Sequence, residues 1–514
     1  MLVHNGTIYP RADRSQKVEA LAIVNGRVSK VGSSREILRL KSTSTRTLDL
    51  KGCSAFPGLA DSHIHLLGTG MLMQTLDLSK ARSILEIQKM LARETSSKDR
   101  DDWIIGRGWD QEKLQDRRYP NRTDVDIVPN PVFLRRVCGH IALANSAALV
   151  AAGVDEKTPV PFGGEIERDS TGKLTGLVKE RALELVTRSI HRNGEETREA
   201  LLMAAKKLLS QGVTSLHCII EDAVEFEVLR DLKKTGKIAQ SIYAILPLNM
   251  LDWAELRNNK AKRSFDGFKV GGLKIFLDGS LGARTAALED PYSDQLGTFG
   301  MLTTSKQQLL ELTNKARELG LQLCIHAIGD KAVELGVETL KEAIGPTESK
   351  KWRHRIEHAS LLSMDIIREM ASLGLVASVQ PRFIYSDSWA EKRLGKDRIR
   401  YLYPFKSMIQ AGIHVAAGSD SPSDDPSIAE GLWSAVSRPG LLSNEKLTAA
   451  EAISSYTSGA AYASFSEETE GRLEPGKWGN MVVFDRDPLE CPPEQLFRLK
   501  VVKTIVRGKV FTWN

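Results

Sequence analysis

Short apolar runs alternate with amphipathic helical stretches through most of this sequence, and that rhythm leaves little choice of architecture. Strand candidates fall at residues 55–60, 213–218, 238–246, 270–277, 321–325, 353–357, 375–379 and 413–417. Helical patterns follow most of them, as at 306–319 and 331–344. Strands that alternate with helices must run parallel and be joined by crossovers, and eight of them predict a closed (β/α)8 barrel of the α/β class. One interval is too long for a single crossover. Roughly residues 70–210, with strand patterns at 103–106 and 132–137 and helical ones at 83–94, 180–191 and 196–210, read as an insertion after the first barrel strand that partly caps the barrel mouth.

The two ends resemble each other in kind. Residues 1–55 carry short apolar runs punctuated by Asn5-Gly6 and Asn25-Gly26, and Asn-Gly pairs are strong hairpin signals. Residues 468–514 repeat the pattern, with Met481-Val482-Val483-Phe484 and the run Val501 to Val506. Both ends together predict one small β-sandwich, with the barrel (56–467) set between them.

Composition narrows the partners. A formal charge of +6, from 71 basic against 65 acidic residues, is a small imbalance on a long chain and gives no nucleic-acid footprint. The sharpest basic cluster, at 260–263, reads as a solvated turn. Five cysteines without paired spacing argue against a disulfide framework and for a reducing compartment. With no signal-peptide pattern and no apolar run long enough to span a membrane, a cytoplasmic protein acting on a small molecule is expected. The sequence leaves room for a homodimer.

The chemistry-bearing residues sit where strands end. His63-Ile64-His65 follows the first strand, and in extended chain alternate side chains share a face, so both imidazoles can reach one ion. Alone, this pair is a weak signal. His326 lies past the fifth strand, His358 closes the sixth, Asp420 closes the eighth, and Lys274 lies on the fourth. Barrel strands deliver their C-terminal ends to one face, so these distant positions should meet. Only ten histidines occur, and four fall at such ends. A lysine among Leu273, Ile275 and Phe276 is costly to bury charged, so its pKa should fall. A neutral amine there could take up carbon dioxide as a carbamate, an anionic ligand able to bridge two cations. The competing readings are a lysine snorkelling to the mouth or one paired with Asp278; for Asp420 the competing reading is a cap on the next helix.

These motifs together resemble the amidohydrolase superfamily, and most closely its amidohydrolase-3 branch, which includes N-substituted formamide deformylase. The resemblance runs over nearly the whole chain: Asn25-Gly26-Arg27-Val28, Phe56-Pro57-Gly58 into His63 and His65, Leu273 to Gly282, His326, Glu357-His358, Gly418-Ser419-Asp420, and Gly471 to Lys477. It departs at Asn480, where the tail usually has Asp. It implies one metal held by His63, His65 and Asp420, a second held by His326 and His358, and Lys274 bridging them as the carbamate. Zinc is the first choice of metal, with iron, manganese or nickel as alternatives. A metal-bridging hydroxide would attack the substrate carbonyl, with Asp420 acting as general base and then acid.

The expected reaction is hydrolysis of a linear C–N amide-type bond in an N-acyl or N-formyl amine. Ring opening of a cyclic amide is the alternative, and a non-catalytic scaffold a more distant one. Trp109, Asp110 and His140, in the insertion, are the candidate substrate contacts, against a packed tryptophan and a helix-start histidine; Arg284 and Arg382 are weaker candidates that could equally form ion pairs. Glu357 is expected to point away from the metals and support the barrel wall. His217 stays open, His354 reads as a wall residue, and His4, His191 and His414 as structure or surface.

Overall fold

The computed structural model describes residues 1–13, 16–161, 163–190, 194–251, 264–441 and 443–513. The basic cluster at 260–263 and His191 lie outside the described residues. Eight parallel strands form the barrel: β1 (Leu59–Ile64), β2 (Val213–Ile219), β3 (Ser241–Leu246), β4 (Phe268–Phe276), β5 (Gln322–Ala327), β6 (Arg355–His358), β7 (Val376–Val379) and β8 (His414–Ala417). Their hydrogen-bonded order is sequential from β1 to β8. The seam between β8 and β1 is joined just past the strand ends, where Asp420 N donates to His63 O at 2.8 Å and His65 N to Ser421 O at 3.0 Å. The residues expected to carry chemistry therefore also close the barrel.

The first strand starts later than its apolar run suggests. Residues 55–60 divide between two structures: Ser54–Pro57 pairs antiparallel with Met481–Phe484, and β1 begins at Leu59. A continuous apolar run cannot reveal that division, because both strands are fully buried.

The terminal segments build two sheets. One holds four N-terminal strands, and the other joins Thr7–Ile8 and Ser54–Pro57 to three strands from the C-terminal end. Val3, Leu21 and Ile23 of the first share a buried apolar cluster with Met481, Val483 and Ile505 of the second. Asn25-Gly26 makes the expected hairpin, with both residues at positive φ (50° and 77°), as a type I′ turn needs. Asn5-Gly6 does not: it links Leu2–His4 to Thr7–Ile8, which lie in different sheets.

Residues 71–197 form a separate compact unit around a six-stranded sheet. Sequence patterning finds Ile104–Trp109 and Val132–Arg136 but misses Ile141–Ala144, Gly164–Arg168 and Leu174–Glu180, the last of which pairs antiparallel with both of the others. The helix expected at 180–191 shrinks to Leu183–Thr187, because Glu180 ends a strand. The helix Gly194–Ser210 is where expected, but from Arg198 onward it groups with the barrel, so the insertion ends earlier than 210. Among the described residues no helix is long and apolar enough to cross a membrane, and all five cysteines are free thiols.

Candidate metal centre

Each expected ligand stands at the C-terminal end of its strand or just beyond. His63 is in β1 and His65 follows it; Lys274, His326 and His358 lie near the ends of β4, β5 and β6; Asp420 follows β8. Asp420 Oδ1 lies 3.3 Å from His63 Nε2 and 3.5 Å from His65 Nε2, and donor atoms of these three residues lie within 4.8 Å of one another. Lys274 Nζ is 3.4 Å from His63 Nε2. The His63 and His358 rings are 5.1 Å apart, and those of His358 and His326 4.4 Å. All six residues thus belong to one continuous cluster.

Whether such a cluster suits metal ions depends on which ring nitrogens are free. His63 Nδ1 is hydrogen-bonded to Glu357 Oε2 at 2.5 Å, which leaves Nε2 toward Asp420 and Lys274. His358 Nδ1 donates to Gln380 Oε1 at 2.8 Å. His326 Nε2 donates to the Gly279 carbonyl at 3.0 Å. A carbonyl oxygen only accepts, so His358 keeps a lone pair on Nε2 and His326 on Nδ1. Fixing one nitrogen as donor and freeing the other is how proteins orient metal-binding imidazoles. Burial holds the imidazoles of His63, His326 and His358 in their neutral form: His326 is lowered to about 3, by desolvation first and then by the nearby Lys274. A set of neutral imidazoles with one carboxylate fits a divalent cation.

Lys274 is 3 % exposed, and its pKa is lowered by burial, although Glu357 and Asp420 pull the other way. The alternative partner is otherwise engaged. Asp278 accepts backbone N–H groups from Ala287, Ile328 and Gly329 at 2.8–3.4 Å, so it orders the loops after β4 and β5. Lys274 does not snorkel to solvent either. Asp420 is not a helix cap: the following helix, Ile428–Ser437, is capped by Ser427. Burial alone would raise the Asp420 carboxyl, but the hydrogen bond to His65 and the neighbouring His63 and His358 imidazoles hold it well below the usual range.

Glu357 corrects the sequence reading. It faces the barrel interior, fully buried, and holds His63 in place. Burial disfavours its charge, yet Arg355 and His63 outweigh that and keep it ionised. Arg355, itself fully buried, forms an ion pair with Glu357 at 2.7 Å and donates to Ser62 O at 2.6 Å and Ser378 Oγ at 2.8 Å. His217 belongs to the same network, its Nδ1 accepting from Arg355 at 3.1 Å. His354 lies in the wall, accepting from Leu323 N, and His414 stacks on Tyr462.

Asp61 is a further residue that sequence reasoning passed over. Buried in β1, it accepts from His63 N at 3.1 Å and from Ser419 N and Oγ at 3.0 and 2.6 Å. One carboxylate therefore ties the His63 strand to the Asp420 loop. Burial pushes it up to about 6. The signal in the sequence is an acid two residues before a histidine pair, which is uninformative without the fold.

The proposed contacts in the insertion fare differently. Trp109 is fully buried in the core of the 71–197 unit, and its indole N–H donates to Leu134 O at 2.8 Å; it is a packing residue with no surface to offer a substrate. Asp110 pairs with Arg136 at 3.1 Å, and the exposed His140 with Glu180 at 3.0 Å. Arg284 pairs with Asp294, and Arg382 with Asp424 and Glu430, which meets the ion-pair reading of both.

Residues 46–512 match the family model described as "Amidohydrolase family". The chain belongs to that family. It is 33% identical to the putative amidohydrolase YtcJ of Bacillus subtilis, over 99% of this chain and 98% of that protein. It is 28% identical to N-substituted formamide deformylase of Arthrobacter pascens, over 99% and 97%. An uncharacterized metal-dependent hydrolase from Pyrococcus furiosus superposes with a TM-score of 0.85 at 33% identity, covering 95% of this chain and 99% of that one. This amidohydrolase is thus a hydrolase of carbon–nitrogen bonds.

Proposed function

We propose that this amidohydrolase cleaves a linear amide of the N-acyl or N-formyl amine class, adding water across the C–N bond to give a carboxylic acid and an amine. The observation that carries the reading is the convergence of His63, His65, Lys274, His326, His358 and Asp420 at one end of the barrel, with ring nitrogens freed by Glu357, Gln380 and Gly279 O. The likeness to a formamide deformylase supports the choice of bond.

In this reading His63, His65 and Asp420 would hold one divalent cation and His326 and His358 the other, and Lys274, carboxylated by carbon dioxide, would supply a further anionic ligand. Zinc is the first candidate. Bound cations supply Lewis acidity, lowering the pKa of water and polarising the substrate carbonyl. Asp420 does the proton work: it accepts the proton of the attacking water and delivers it to the leaving nitrogen, so that the amine departs neutral. Its backbone N–H is tied to His63 O and its neighbour Ser419 to Asp61, so the carboxylate is held without freedom to drift. Glu357 and Arg355 keep His63 oriented throughout.

The test is a hydrolysis screen of N-acyl and N-formyl amines by the zinc-loaded protein, with and without chelator, beside Asp420→Asn. Turnover lost to chelator and lowered about 100- to 10,000-fold in the variant is expected. Equal rates in variant and wild type would remove Asp420 from the proton path.

A further inference from the structure

A cavity of 490 Å³ opens beside the imidazole cluster, with His326, His358 and Asp420 on one side. The chain between β7 and β8 lines it too, through Phe383, Asp387, Trp389 and Tyr403. Phe383 lies parallel to the His358 ring, at 3° and 6.3 Å between centroids, so an apolar wall begins at the ligands themselves.

The charges of this cavity are one-sided. No lysine or arginine lines it among the described residues, whereas Asp387 and Asp424 both do. Asp424 is neutralised by its ion pair with Arg382 and also accepts from Ser386 Oγ at 2.8 Å. Asp387 has no such partner: among the described residues its carboxylate accepts only the Tyr403 hydroxyl. Burial pushes it up to about 6. The cavity gives this carboxylate one neutral hydrogen bond and no lysine or arginine among the described residues, so its charge is disfavoured until a cationic group joins it.

A half-buried carboxylate without a cation is costly unless something completes it. A ligand bearing an ammonium or guanidinium group would do so, whereas a ligand carboxylate would meet a like charge with no base to offset it. Resting on the amide-hydrolase reading above, we propose that Asp387 selects for amides that carry a cationic group distal to the scissile bond, with the intervening chain against Phe383 and Trp389. Asp387 is then a specificity residue that takes no part in the bond cleavage itself.

Three N-formyl alkylamines of equal length, ending in ammonium, hydroxyl or carboxylate, test this with zinc-loaded wild type, Asp387→Asn and Asp387→Glu. The ammonium substrate should exceed the hydroxyl one in kcat/KM by about 10- to 100-fold, and the carboxylate should be poorest. That ratio should collapse toward unity in Asp387→Asn and persist in Asp387→Glu. In parallel, calorimetry on metal-free wild type should show the corresponding diamine binding more tightly than the hydroxyamine, with the difference lost in Asp387→Asn. A wild-type preference for hydroxyl or carboxylate, or an ammonium preference that survives Asp387→Asn, overturns the proposal. Should no formamide or N-acyl amine be hydrolysed whatever its charge, the amide-hydrolase reading fails, and calorimetry alone decides for or against Asp387. Should Asp387→Asn not fold, the wild-type ratio and wild-type calorimetry decide in the same sense.

Discussion

Glu357 Oε2 stands 2.5 Å from His63 Nδ1, and the same carboxylate pairs with the fully buried Arg355. A single buried group thus serves both barrel stability and ligand orientation. Replacing it by glutamine keeps an acceptor for His63 but leaves the Arg355 charge uncompensated. Glu357→Gln should lose about 3–5 kcal/mol of stability and about 10- to 100-fold in metal affinity, read by denaturant unfolding of the metal-free protein and by metal titration. Wild-type values for both would return Glu357 to the passive wall role.

Gly418 is a site of close approach. A Cβ placed there would come within 2.5 Å of His63 N and 2.9 Å of Asp61 Oδ1. Both are fixed, one as backbone and the other by three hydrogen bonds. Gly418→Ala should therefore cost about 1–3 kcal/mol and weaken metal binding by shifting His63. Unchanged metal content with unchanged stability would contradict this.

Glu225 sets a pH dependence of stability. It is fully buried at the start of the helix Ala223–Lys234, with Oε2 accepting Glu221 N and Oε1 unpaired. Burial raises its pKa from 4.5 to about 8. The folded state therefore holds this proton more tightly than the unfolded one. The stabilisation is complete below pH 4.5 and is lost as pH rises toward 8, by about 4 kcal/mol. Glu225→Gln stays neutral throughout, so its stability should fall less steeply across this window. Identical slopes in urea-unfolding free energy against pH would refute the assignment.

How much of this was legible beforehand follows from what periodicity can carry. Barrel strands are long apolar runs tied to helices, so seven of the eight expected positions overlap closely with those observed. The first was misplaced because the sandwich strand Ser54–Pro57 and β1 are both buried and nearly contiguous. His63, His65, His326, His358, Asp420 and Lys274 could be named because strand ends converge whatever the loops do. Glu357, Asp61 and Arg355 could not be given their roles, since hydrogen bonds between residues about 300 or more positions apart leave no local pattern; Gln380 reaches His358 from the neighbouring strand's end, which periodicity does not show either. Trp109 was open between a substrate contact and a packed residue, because a Trp-Asp pair looks alike whether it faces a ligand or a core, and the fold places it in the core.

The proposed carboxylation of Lys274 has its own test. The buried amine sits 3.4 Å from His63 Nε2, with its pKa lowered by burial, and so is prepared to react with carbon dioxide. Protein refolded in carbon-dioxide-free buffer should take up less metal, and bicarbonate should restore uptake; Lys274→Met should take up the lesser amount with or without it. Uptake indifferent to bicarbonate in the wild type would exclude the carbamate.

Six side chains are proposed to hold a pair of cations, and metal stoichiometry tests that most directly. Elemental analysis of protein loaded with zinc and dialysed should give about two ions per chain. Asp420→Ala together with His63→Ala should abolish the site these residues share. A wild-type content near zero, or content unaffected by the double substitution, would contradict the account.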